Sequence, residues 1–174
     1  MNIKITKAEV YEEVATLVGY IAKQQATKAD APENTFRRTA IFDPYRTLLD
    51  DVFERGCNHL TDAIGSVAPY TIGQCDEGQE DAGYCIDCSM PTNWNNALED
   101  EVARTAKSYL VNHVASMWMR IIESADEDKY SKDSTTNLLE FSKLLHRKRR
   151  VSRCEFKQNA AKRREMYNHC INHC

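Results

Sequence analysis

The sequence predicts a mainly α-helical protein: an antiparallel bundle of about four helices with one β-hairpin and a basic C-terminal arm. Three observations lead there. Apolar residues recur at helical spacing over long stretches. Six Gly and four Pro in 174 residues leave too few turn formers for a fold of many short strands. One stretch, about 67–90, breaks the helical pattern with β-branched and aromatic residues flanking acidic turn material. A chain of this length is expected to form one packed core, with residues 1–150 as the bundle and hairpin and 151–174 as the arm.

The first helix is predicted over about 7–25. Thr6 with Glu9 forms a capping box, and Val10, Val14, Leu17, Val18 and Ile21 follow at i, i+4, i+7, i+8 and i+11. The next stretch, "ATKADAPENTFRRTAIF", is aperiodic, contains Pro32 and reads as a connector. Asp43 before Pro44 supplies an N-cap with Pro at N1 for a second helix that runs to about Ser66 through Leu48, Leu49, Val52, Phe53, Leu60 and Ile64, with Gly56 as its weak point. "VAPYTIGQC" and "GYCIDCSM" form the hairpin, with "DEGQEDA" at its tip. After Pro91, Asn caps and first-turn acids start the longest helix, whose apolar face carries Leu98, Val102, Ala106, Tyr109, Leu110, Val114, Met117, Trp118 and Ile121. Ser124 with Glu127 caps the fourth, which bears Tyr130, Leu138, Phe141, Leu144 and Leu145 and runs into "HRKRRVSR".

Composition narrows the function. The opening "MNIKITKAEVYEEV" holds no apolar run of a signal peptide, and no segment approaches the roughly 18 to 20 apolar residues of a membrane span, so a soluble protein made in the cytoplasm is expected. Seven cysteines, an odd number, favour reduced thiols over a disulfide framework. The net charge of −3 is unevenly spread. From Lys143 to Arg164 there are ten Lys or Arg against Glu155 alone, a charge of +9 that leaves −12 for the rest of the chain. Asp76 to Glu101 holds eight acids and no Lys or Arg. Such segregation suits head-to-tail contact between copies, or contact with a polyanion.

Several constellations invite a chemical reading. Cys85 and Cys88 form a CxxC, but residues three apart in a strand point to opposite faces, so small apolar fillers are the favoured reading over a zinc site. Cys75 and Cys85 flank the hairpin loop and can instead face one another across the ladder. The terminal "YNHCINHC" offers two His and two Cys in six residues. On a helix, however, Phe156, Ala160, Arg163, Tyr167, Cys170, Ile171 and Cys174 fall within about 60° of one direction, while His169 and His173 lie about 100° from the cysteines. Four ligands do not converge, and no metal or other cofactor is expected. His113, on the apolar face of the long helix, reads as a satisfied core histidine, and no GxGxxG, Walker A or HExxH pattern accompanies it. An enzyme is therefore not expected.

The basic run has three uses: salt-sensitive contact with phosphates, a solvated helix end, or an arm that lies on a partner. Phe156, Tyr167 and Ile171 interleave with the cations, which favours the arm, with apolar burial supplying energy and charge supplying register. Those three residues are the first candidates for partner binding, and Arg147, Lys148, Arg149 and Arg150 are the second.

The opening "ITKAEVYEEVATLVGYIAKQ", the "CSMPTNWN" that leads into a long helix, "SYLVNHVASMWMRI", and "ADEDKY" before a last Leu-rich helix with a basic end together resemble a small-protein type encoded in tailed-phage structural modules, particularly of phages and prophages of Bacteroidetes. The likeness covers about residues 3–150 and is to head-to-tail connector, or adaptor, subunits. It implies a virion structural protein made in the cytoplasm of a bacterial host, without catalysis or membrane contact. It further implies a closed ring of about twelve copies joining portal to tail or neck proteins, with DNA only as cargo in the lumen. The C-terminal segment of such adaptors often engages the portal, and Lys148 to Cys174 is the stretch placed to do so. Two alternatives remain: a sequence-blind nucleic-acid-binding protein using the basic arm, and a small zinc-binding regulator using the Cys and His residues.

Overall fold

The structure, a computed structural model, describes residues 1–26, 46–73, 83–122 and 126–148. The capping box forms: the Thr6 N–H donates to Glu9 Oε2 at 3.1 Å and the Glu9 N–H to Thr6 Oγ1 at 3.2 Å, and α1 runs Lys7–Ala26. Thr6 also draws the Glu9 carboxyl below its ordinary range, because its backbone N–H donates to the charged form. Helix α2 is Arg46–Gly65, so the expected Asp43–Pro44 cap lies outside the described residues. Helix α3 is Glu99–Ile121 and α4 is Glu127–Leu145. The two pack along one another, and α3 also contacts α1 and α2, which makes it the axis of the bundle.

The hairpin is present, but it is two strands of three. Strand β1, Asn2–Ile5, pairs antiparallel with β3, Tyr84–Cys88, which pairs on its other side with β2, Tyr70–Ile72. Strand β1 was not expected; it follows the alternation in "NIKI", with Ile3 and Ile5 buried while Asn2 and Lys4 are exposed. On β3, Tyr84, Ile86 and Cys88 take the same inward face.

Two expected caps are corrected. No Asn side chain caps α3; a single 3-10 turn, Asn96–Leu98, leads in, and Leu98 occupies the cap position without a side-chain hydrogen bond. The cap of α4 is Asp126 rather than Ser124, with Glu127 and Asp128 in the first turn, where their charge meets the helix dipole.

The core is continuous. Val10, Val14 and Val18 of α1, Val52, Phe53, Leu60 and Ile64 of α2, Leu110, Val114 and Trp118 of α3, and Phe141 and Leu145 of α4 are at most 2 % exposed. Each such side chain contributes roughly 1.5–3 kcal/mol by leaving water. Gly56 is a site of contact rather than a weak point: a Cβ there would stand 2.8 Å from Leu110 Cδ2 and 3.1 Å from His113 Cδ2, so only glycine lets α2 approach α3 this closely. Polar pins hold the layers in register. Tyr11 donates to Asp50 at 2.6 Å, Lys7 stands 3.4 Å from the same carboxylate, and Thr61 and Tyr84 share a hydroxyl contact of 3.2 Å between α2 and β3.

The segment before α3 docks on the far end of α4. Trp94 is buried, and its Nε1–H donates to the Leu144 carbonyl at 3.1 Å. The Asn95 N–H donates to the Arg147 carbonyl at 3.3 Å, and Trp94 and Lys148 form an isolated antiparallel bridge. No helix among the described residues is long and apolar enough to cross a membrane.

Candidate functional site

Two matched stripes on facing helices are polar where a bundle seam is ordinarily apolar. On α3, Tyr109, His113, Ser116, Met117 and Arg120 stand at i, i+4, i+7, i+8 and i+11. On α4, Glu127, Ser131, Ser134, Thr135 and Leu138 repeat that spacing. Small hydroxyl residues cannot fill the space that Leu or Phe would fill, and with His59 of α2 the stripes line a cleft of about 340 Å³.

Its inner wall is a cluster of rings. His59 Nδ1 is 2.7 Å from the Tyr109 hydroxyl. The Tyr109 and His113 rings stack with centroids 5.5 Å apart at 23°, and the His59 and His113 rings meet edge to face at 5.8 Å and 75°. His113 is thus half-buried and held by ring contact, rather than being a core histidine satisfied by a hydrogen bond to a described residue. Burial pushes its pKa down to about 4, with His59 and Arg55 acting in the same direction, so the imidazole is uncharged near neutral pH. Burial pushes the Tyr109 phenol up to about 12. At the outer end Arg120 Nε pairs with Glu127 Oε1 at 3.3 Å. Ser116 donates to the His113 carbonyl at 2.8 Å and Thr135 to the Ser131 carbonyl at 3.0 Å, which leaves their oxygen lone pairs for other partners. Ser134, at 5 %, is the one buried polar residue among those described.

Of the residues singled out from the sequence, Arg147 and Lys148 are described and exposed, directly after α4 and pinned by backbone to the Trp94 turn. Arg149, Arg150, Phe156, Tyr167 and Ile171 lie outside the described residues, as do Cys75 and the terminal His and Cys cluster. The CxxC is not a chelating pair. Cys85 is disulfide-bonded, and Cys88 faces the other way, buried, with its Sγ–H donating to the Met1 carbonyl at 3.3 Å. That disulfide, whose other half lies outside the described residues, corrects the expectation of reduced thiols at Cys85, while Cys57 and Cys88 are free. Burial pushes the Cys57 thiol up to about 12, which makes it inert as a nucleophile. Among the described residues no group of three or more His, Cys, Asp or Glu is placed to hold a metal ion.

The edges of the sheet are unlike one another. The bonds Ser89 N–H to Pro69 O and Gly73 N–H to Cys85 O, both 3.0 Å, turn residues 69, 71 and 73 toward β3, so Tyr70 and Ile72 direct their N–H and C=O groups outward. No described residue bonds to those groups. Their side chains lie on the same face as Ile86 and Cys88, yet they are 42 % and 67 % exposed, with the Tyr70 ring set beside Gly65 at the end of α2. On β1 the outward Asn2 N–H is instead occupied by Glu99 Oε1 at 2.9 Å.

No protein-family model matches the chain, and no curated protein or solved structure matches it either.

Proposed function

We propose that this protein is a virion structural subunit, assembling as a head-to-tail connector or neck ring of about twelve copies that joins portal to tail, without catalysis. The reading rests on the likeness of its sequence to adaptor subunits, and one observation in the structure supports it: among the described residues one edge of the sheet is guarded and the other is not. An exposed strand edge with apolar side chains is a liability for a monomer, and monomers blunt such edges with charge or cover. Here Glu99 serves β1, while β2 offers two outward N–H and C=O pairs beside Tyr70 and Ile72. A subunit that meets its neighbours heterologously around a ring uses such an edge, and Arg147 and Lys148 at the root of the arm add charge for register.

The test is the mass of the full-length protein, alone and mixed with the portal protein of the same phage or prophage. The expected result is a ring, or a portal-bound complex, that Ile72→Lys dissociates while leaving the circular dichroism spectrum intact, since Ile72 is 67 % exposed. A monomer that binds no portal overturns the reading. If that monomer binds duplex DNA with an affinity that falls about 10³-fold or more between 50 and 200 mM salt, the basic arm is a nucleic-acid-binding element instead.

A further inference from the structure

We propose that the cleft between α3 and α4 is a binding site for a neutral, planar heteroaromatic molecule with donors and acceptors along one edge, of which guanine is the best match. The inference does not rest on the connector reading.

The cleft is built against the rules of a packed helical seam. Toward the other end of α4 the seam is filled by Phe141, Leu144 and Leu145, whereas here Ser134 is buried at a position where Leu would fill the gap and stabilise the bundle. At about 340 Å³ the space lies within the range of small-molecule sites and holds a fused bicyclic ring.

Charge then narrows the class of ligand. Arg120 and Glu127 carry opposite unit charges and pair with each other, and His113 beside them is uncharged near neutral pH. A phosphate or a metal cation would meet no net charge of opposite sign from this pair, and Arg55 is a further cation whose charge reaches His113, so a neutral ligand is favoured over a metal cation and phosphate is the competitor to test.

Finally, the polar groups define an edge. The pair uses Arg120 Nε and Glu127 Oε1, which leaves the terminal guanidinium N–H groups and the second carboxylate oxygen unspent between them. On the Watson–Crick edge of guanine a guanidinium can donate to the O6 acceptor while the remaining carboxylate oxygen accepts from the adjacent N1–H. The ring wall of Tyr109 and His113 on one side, with Met117 and Leu138 also lining the space, offers apolar area to the faces of such a ring.

Isothermal titration of the full-length protein with guanosine, adenosine, cytidine, uridine and inorganic phosphate in turn is the test. Guanosine is expected to bind saturably and more tightly than the other nucleosides, and phosphate not at all. Glu127→Gln, at a half-exposed rim position, is expected to weaken guanosine about tenfold or more, as loss of one polar partner on a base edge does. Ser134→Leu, which fills the cleft, is expected to abolish binding without lowering the melting temperature. Absence of saturable guanosine binding overturns the proposal. So does binding of phosphate as tight as that of guanosine, or a guanosine affinity unchanged in Glu127→Gln, the variant that keeps the test decisive if Ser134→Leu fails to fold.

Discussion

The two ends of the α3–α4 pair are built on opposite principles. Toward the C-terminus of α4, Phe141, Leu144 and Leu145 are buried, and the nearby Trp94 indole satisfies the Leu144 carbonyl; the seam there is dry and closed. Toward its N-terminus the same helix presents Ser131, Ser134 and Thr135 to a hollow lined by His59, Tyr109 and His113. One helix therefore secures the fold with one half and forgoes packing energy with the other. Stability and recognition have been allotted to different turns of the same element.

Mutation should separate the two ends, most sharply at the dry one. Phe141→Ala should destabilise by about 3–5 kcal/mol, the sum of lost transfer energy and a cavity that the packed seam cannot close. Chemical denaturation at equilibrium measures it, and a loss under about 1 kcal/mol would show that this end is not the anchor. Gly56→Ala, at the boundary between the two regimes, should cost about 1–3 kcal/mol, since the new methyl meets Leu110 at 2.8 Å and the strain exceeds what a better helix former returns.

The hollow end should reveal itself through pH. His113 has a folded pKa of about 4 against an ordinary 6.5, so within that window the unfolded chain holds a proton that the folded one lacks. Its contribution to stability is complete above 6.5 and is lost as the pH falls through the window. Melting temperatures measured from pH 7 to pH 4 should therefore drop less steeply in His113→Phe than in the native protein, and parallel curves would refute the assignment. The smallest effect belongs to Ser134→Ala, expected within about 0.5 kcal/mol of native because no packed seam is lost and no described residue shares a bond with its hydroxyl. At a dry position such as Val114, an equally small change of volume should cost more.

The parts of the fold that are local were legible. The Thr6–Glu9 box is two hydrogen bonds between residues three apart, and the stripe from Val10 to Ile21 declares its own period, so α1 could be read without knowing what it packs against. Strand β1 was not legible because four residues of alternation are too short a signal, and its partner β3 lies some eighty positions away. The cap of α4 misled for a related reason: Ser124 and Asp126 both suit a cap, and the start of the helix chose between them. The cleft was hidden more deeply. Ser131, Ser134 and Thr135 look like a solvated face in one dimension; Ser131 and Thr135 are indeed exposed at the rim, and only the facing stripe on α3 buries Ser134 between them. Placing His113 on the apolar face was right about its neighbours, but it missed the hollow beside it.

The bracket around Trp94 has a mechanical consequence. A helix that ends freely is peeled from its last turn when its tail is pulled, because bonds then break one at a time. Here the strand-like contact between Trp94 and Lys148, the indole bond to Leu144 and the Asn95 bond to Arg147 tie the tail to the segment that leads into α3. Tension entering at Lys148 is therefore shared across several bonds loaded together and passed to two long helices at once. The end of α4 is a splice rather than a frayed end.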